Sequence, residues 1–255
     1  MFNTTHILYM LISGVCGAAL LIFLHLLHQN RWNVIVLRTL AILTVILHYS
    51  PLWVDFFTLG TATVAPEMLL PIHPCNVCMW LLLIAAFVTD KQGPAARLLK
   101  DFTFWGGTVC GAIGTVFNFN FAKTPTLTDF VVLKGLLSHS TMVVGCILLF
   151  TAGYVQIRVR RGVTAVLAGL LLFGVDGLII NGLYAAFQLE PCNAMYLVSR
   201  PFEAAPWLTT PVIGLMAMVA VFLLAALFEQ VALPKDQRWY ARFKRSNRSS
   251  ESPKQ

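Results

Sequence analysis

Of the chain's 255 residues, 58% are hydrophobic and only 11% charged, and the mean hydropathy is +0.75. Such a composition belongs to a polytopic membrane protein, not to a soluble domain. The formal net charge of +7 sits in short loops and at the C-terminal end, so it reads as a topology signal and not as a nucleic-acid footprint.

Apolar runs long enough to span a bilayer, about 20 residues each, fall near 7–27, 34–56, 70–89, 102–121, 130–154, 163–187 and 210–233. The expected fold is an all-α integral membrane protein, a bundle of about seven transmembrane helices over residues 1–233. Residues 234–255 are polar and basic and read as a disordered cytoplasmic tail. The first run has no basic region before it and no small-residue cleavage site, so it reads as a retained helix. With seven spans and the N-terminus outside, all 18 Lys and Arg residues except Lys123, Lys134 and Arg200 fall on the inner side. The positive-inside rule therefore favours N-terminus out and C-terminus cytoplasmic, in a multi-pass protein of a cell membrane.

The third run opens on Leu70-Pro71-Ile72-His73-Pro74-Cys75-Asn76-Val77-Cys78. Proline is accepted in the first turn of a helix, so Pro74 sets a helix start and puts Cys75 in its first turn. A thiol there feels the positive end of the helix dipole, which favours thiolate. On the expected topology, Cys75 and His73 lie at the outer end of the third span, and Asn118 and Asn120 at the outer end of the fourth. His139 lies roughly 13 Å into the fifth span and Asn181 roughly 9 Å below the outer end of the sixth, at 1.5 Å per residue. Asn193 and Tyr196 follow in the outer loop. These sequence-distant polar residues share one leaflet and are candidates for one outward-facing cavity.

Each signal has a plainer reading. Cys75 fits a nucleophile, but cysteine is common in membrane helices. Cys78 gives a Cys-x-x-Cys spacing that also matches a redox pair. Cys16, Cys110 and Cys146 fit packing; Cys192 either bridges another outer cysteine or does nothing. His139, in Leu137-Ser138-His139-Ser140, is a functional candidate because an ionisable group at that depth is costly; the alternative is a neutral histidine bonded to a neighbouring helix. His6, His25 and His28 are expected at membrane edges, and His48 is left open. Asp176 could orient His139, yet it lies about 140° around the helix from Asn181, and the site is assigned to Asn181. No closed metal-ligand spacing, phosphate loop or serine elbow is present, and neither metal nor cofactor is expected.

Leu70-Pro71-Ile72-His73-Pro74-Cys75-Asn76 resembles the Leu-Pro-x-His-x-Cys signature of the YwaF-like/transmembrane protein 164 family of integral membrane acyltransferases. Phe104-Trp105-Gly106, Ser138-His139, and Cys192-Asn193-Ala194-Met195-Tyr196-Leu197 followed by Arg200-Pro201 come in that family's order. The resemblance spans roughly residues 34–210. It implies Cys75 as acyl-accepting nucleophile and His139 as its catalytic partner, with an asparagine at 118 or 120 assisting. Two positions depart from the pattern: Ala194 stands for a tyrosine, and Asn76 for a second histidine of the vertebrate relative.

The expected chemistry is acyl transfer through a Cys75 thioester, with membrane phospholipids as donor and acceptor and His73, Asn76, Asn118, Asn120, Asn181, Asn193 and Tyr196 lining the substrate site. An outward site is out of reach of cytosolic acyl-CoA, which favours transacylation, with hydrolysis as the variant that uses water. Two other classes compete: a thiol oxidoreductase relaying electrons through Cys75-x-x-Cys78, and a non-enzymatic lipid-binding or transport protein.

Overall fold

A bilayer offers no hydrogen-bond partner to the backbone, so apolar runs satisfy their own N–H and C=O groups as helices. The computed structural model describes residues 3–60, 69–88, 93–200 and 206–242. These are helical with short connections: α1 (Thr4–Leu26), α2 (Asn30–Leu59), α3 (Pro74–Phe87), α4 (Pro94–Phe102), a π-helical turn (Thr103–Gly107), α5 (Thr108–Val116), α6 (Phe119–Lys123), α7 (Phe130–Thr151), α8 (Val159–Ala186) and α9 (Thr210–Ala232). Single 3₁₀ turns cover Ala194–Tyr196 and Lys235–Gln237. The result is an all-α membrane bundle. Five of its helices, α1, α2, α7, α8 and α9, are long and apolar enough to cross a membrane. Leu11, Val15 and Ile22 on α1 and Leu171 and Leu178 on α8 are exposed, as lipid-facing side chains are.

The third and fourth expected spans differ from their sequence limits. With 14 residues, α3 is about 21 Å long at 1.5 Å per residue, short of a hydrocarbon core of about 30 Å. The fourth begins at Pro94 instead of 102 and runs through the π turn to Val116 instead of 121. Its start was hidden because Lys100 and Asp101 lower the local hydropathy, yet both are buried. Lys100 lies 4.6 Å over the Tyr154 ring, and Asp101 receives two hydrogen bonds, of 2.6 and 2.7 Å, from Arg161. Its end is set by Asn118, whose side chain accepts from Phe121 N at 2.9 Å and so caps α6. Phe104-Trp105-Gly106 therefore lies inside the π turn, not at a helix start. A Cβ at Gly107 would collide with Cys146 Sγ, so glycine is what lets this turn approach α7.

The core lies where α2, α3, the π turn and α7 meet, around Leu37, Ala41, Cys78, Leu82, Cys146 and Leu149. Thr44 and Thr141 hydrogen-bond between α2 and α7 at 2.9 Å. His6, expected at the membrane edge, is fully buried: its Nε2 lies 2.9 Å from Thr115 O, and its ring stacks on Phe121 at 4.6 Å.

One end of the bundle is basic. There α4 and α8 begin and α9 ends, and Arg97, Arg158, Arg160 and Arg161 gather. Glu229, fully buried, accepts from Val159 N at 2.9 Å and from Arg242 at 2.9 Å. Of the expected tail, residues 234–242 are described, and Trp239 packs on the Phe222 ring at 5.6 Å. Residues 243–255 lie outside the described residues. The start of α3, the end of α8 and the start of α9 lie at the opposite end.

Candidate active site

The site is built on the first turn of α3. His73 is the N-cap, in extended conformation, and Pro74 is the first helical residue. Asn76 N and Val77 N donate to His73 O at 2.9 and 3.4 Å. Cys75 follows Pro74 and is half-buried. Its Sγ donates to Oδ1 of the buried Asn76 at 3.4 Å, while the backbone N–H groups of Cys75 and Asn76 face the same sulfur. The helix start thus presents donors to the thiol, the arrangement that stabilises a thiolate or an oxyanion.

A loop from α8 closes over this turn. Met195 N donates to Ile72 O at 2.8 Å, and the Tyr196 ring stacks on His73 with centroids 5.5 Å apart and planes at 25°. Met195 and Tyr196 have φ of 53° and 56°, two successive non-glycine residues in the left-handed region. Such strain persists only where the surroundings fix it. Thr210 Oγ1 supplies one constraint by donating to Tyr196 O at 2.6 Å. The Tyr196 phenol is pushed up to about 12, first by burial and then by the neighbouring Cys75 and Cys110. It therefore stays protonated, and able to donate, throughout the neutral range.

Asn181 and Asn193, expected to line the substrate site, are spent on this loop. Asn181 Oδ1 accepts from Ala194 N at 3.0 Å and from Cys192 Sγ at 3.3 Å, and its Nδ2 donates to Ala194 O at 3.2 Å. Asn193 accepts from Val198 N and Ser199 N, each at 3.0 Å, and donates to Ser199 O at 3.0 Å. Asn181→Ala removes three of these bonds. Its expected outcome is faster amide exchange confined to residues 192–197, with a stability loss of about 1–3 kcal/mol; hydrogen-exchange mass spectrometry of the two proteins checks it.

His139 lies in the seam between α5 and α7. Its Nδ1 is 2.7 Å from Gly135 O. A carbonyl only accepts, so in the neutral ring Nδ1 carries the proton and Nε2 holds the basic lone pair. The ring lies against Gly114, where a Cβ would collide with Cδ2 and Nε2. Asn118 shares this seam: its Nδ2 donates to Gly114 O at 3.4 Å, and its Oδ1 is used for the α6 cap. Asn120 is exposed, with Nδ2 towards Gly135. Among the described residues no hydrogen bond joins His139 to Cys75, which is engaged by Asn76, and none joins His139 to Asp176.

The residues that sequence reasoning missed surround the thiol. Lys134 and Cys110 lie within electrostatic range of Cys75. His48, left open above, accepts through its backbone carbonyl from Lys134 Nζ at 3.4 Å and lies within electrostatic range of His139 and His73. A lysine four residues into an apolar helix was the available signal. Cys78 is fully buried and shares a side-chain hydrogen bond with Cys110; all six cysteines are free. Among the described residues no group of three or more His, Cys, Asp or Glu is arranged to hold a metal ion.

Two cavities complete the picture. One of about 740 Å³, lined by Tyr196, Ser199, Arg200, Thr209 and Thr210, opens beside the stacked loop. The other is an apolar groove of about 520 Å³ between α1 and α7, lined by Leu8, Ile12, Leu20, Leu137 and Val144, with Tyr9 Oη and Ser140 Oγ hydrogen-bonded at 3.0 Å.

In comparisons with known proteins, a family model described as the TMEM164 family matches residues 1–230. No curated protein and no solved structure matches the chain.

Proposed function

The chain belongs to the TMEM164 family, and on that premise we propose that it is a membrane acyltransferase that moves an acyl chain between phospholipids through a thioester on Cys75. The observation that carries this reading is the first turn of α3. It combines a half-buried thiol, its own and Asn76's N–H groups aimed at the sulfur, and a strained loop whose Tyr196 stacks on His73. This combination suits covalent catalysis by cysteine better than a passive headgroup cavity does.

In the proposed reaction the Cys75 thiol gives its proton to Nε2 of His139, the nitrogen left basic by the Nδ1 bond to Gly135. That transfer needs the ring to turn or a water to bridge. The thiolate attacks an ester carbonyl of a phospholipid. The oxyanion is held by the first-turn N–H groups and by the protonated phenol of Tyr196. Collapse breaks the ester C–O bond, the leaving alkoxide takes the proton from His139, and the thioester remains. A second lipid's hydroxyl then gives its proton to His139 and attacks the thioester carbonyl; the S–C bond breaks, and the departing Cys75 sulfur takes that proton back from His139.

The substrate class rests on the surroundings. Arg200 in the polar cavity beside Tyr196 suits a headgroup phosphate. The basic end suits the cytoplasmic side by the positive-inside rule, which puts the thiol end outward, where phospholipid and not acyl-CoA is the acyl donor. Intact-mass and peptide-resolved spectrometry after incubation with acyl-labelled phosphatidylcholine tests the reading. The expected result is a hydroxylamine-sensitive acyl adduct on Cys75. Label transferred between lipids with no adduct on Cys75 under rapid quench overturns the thioester.

A further inference from the structure

Among the described residues, Asn76 supplies the one side-chain hydrogen bond that Cys75 makes, yet the mechanism above gives it no step. Asparagine is a poor helix former and favours the N-cap. Here the N-cap is His73, and Asn76 stands three residues into the turn without capping anything. It is 7% exposed. Its Oδ1 accepts from the Cys75 thiol at 3.4 Å, and among the described residues its Nδ2, with two N–H donors, makes no hydrogen bond. A thiol is a weak donor, and a buried amide is costly unless its polar ends are bonded. This amide is therefore poorly matched to the resting thiol and well matched to an anion in the same place. The χ2 torsion of asparagine is broad and roughly two-fold. A half-turn about it puts Nδ2 where Oδ1 stands and breaks only the bond to the thiol. The titratable groups around the sulfur are His73 at the N-cap, Cys78 on the same helix, Cys110 on α5, Lys134 on α7 and Tyr196 in the loop. Among the described residues none of these makes a hydrogen bond to Cys75 Sγ; Asn76 does.

We propose that Asn76 is a catalytic residue whose carboxamide turns over between two states of the nucleophile: Oδ1 accepts from the Cys75 thiol at rest, and Nδ2 donates to the Cys75 thiolate during transfer. The proposal rests on the acyl-transfer reading for its purpose, and it gives a step to a residue to which the resemblance assigns none. When the Cys75 S–H bond breaks, the proton passes to His139 Nε2 and the electron pair stays on Sγ. A carbonyl oxygen facing that charge repels it, so the amide turns and an Nδ2–H takes its place. When the S–C bond of the thioester forms, the charge moves to the ester oxygen and Nδ2 is released. When the thioester breaks, the departing sulfur receives the same N–H until His139 returns the proton. Asn76 neither gains nor loses a proton throughout. A hydrogen bond to a charged partner is roughly twice as strong as a neutral one, so the amide favours the thiolate over the thiol on balance.

The test uses the full chain in phosphatidylcholine nanodiscs and iodoacetamide, with alkylation followed peptide by peptide so that Cys192 serves as internal reference. In Asn76→Ala the pH–rate midpoint of Cys75 should move up by about one unit and its alkylation rate at neutral pH should fall roughly tenfold, with Cys192 unchanged. In Asn76→Asp the midpoint should move up further, because a carboxylate accepts the S–H and repels the thiolate. Asn76→Gln keeps the amide on a longer stem and should fall between the wild type and Asn76→Ala. A merely structural asparagine would not give this order. A Cys75 midpoint in folded Asn76→Ala at or below the wild-type value overturns the proposal, because the amide then only accepts; this variant decides the matter where Asn76→Asp does not fold. Alkylation needs no turnover, so the two readings fail separately. A wild-type thioester with no upward shift in Asn76→Ala removes only the role of Asn76, and an upward shift with no thioester removes acyl transfer and leaves the amide's hold on the sulfur.

Discussion

Cys75→Ala is expected to lower acyl transfer at least about a thousandfold, the scale of losing a covalent nucleophile, while the protein still folds. Cys75 is half-buried at the start of α3, and its one side-chain bond goes to its neighbour Asn76. Removing it should therefore cost about 1 kcal/mol or less of stability. Cys75→Ser should be nearly as inactive, since a hydroxyl in the same place is far harder to ionise than a thiol. Cys78 lies one turn on, is fully buried and turns towards Cys110. Cys78→Ala should cost about 1–2 kcal/mol through the lost packing and hydrogen bond, yet keep most activity. Mild reductant should leave turnover intact. Phospholipid transacylation assays on the four proteins, with and without dithiothreitol, check this. If both alanine variants are inactive and reductant alone stops turnover, the thiol-relay chemistry of Cys75-x-x-Cys78 replaces acyl transfer.

The second large effect is expected at His139 and at the glycine beneath it. His139→Gln should lower turnover by about 10²–10⁴-fold, the usual contribution of a positioned general base. Gly114→Ala is the sharper probe. Alanine favours a helix over glycine by up to about 1 kcal/mol, so α5 itself gains. The added Cβ, however, meets Cδ2 and Nε2 of the imidazole. The ring must shift, its Nδ1 bond to Gly135 is disturbed, and activity should fall at least about tenfold with thermal stability little changed. Turnover measured beside a melting curve separates the outcomes. A fully active His139→Gln protein removes His139 from the chemistry. A fully active Gly114→Ala protein shows that the placement of this ring does not matter to the reaction.

Much of the architecture is legible in the sequence alone. The partition of apolar residues between lipid and water is a property of each segment alone, so composition and run length determined an all-α membrane bundle. They also located α1, α2, α7, α8 and α9 to within a few residues. Pro74 likewise determined the start of α3, because a residue without an N–H belongs in a first turn, and with it the placement of Cys75 among exposed backbone donors. What a polar side chain bonds to is a different matter, because its partner is distant in sequence. Lys100 and Asp101 broke the apolar pattern, and only the Tyr154 ring and Arg161 explain their burial in α4. Asn181 and Asn193 carried the signature of substrate ligands, but the folded loop brings backbone groups to both amides and uses them as braces. Asn118 became a cap for the same reason. Only the packing of α3 against α5 decided that Cys78 faces Cys110. The sequence determined which residues were costly to place in a membrane, because that cost is local. The tertiary structure decided which of them offset one another, because that depends on approach between helices far apart in the chain.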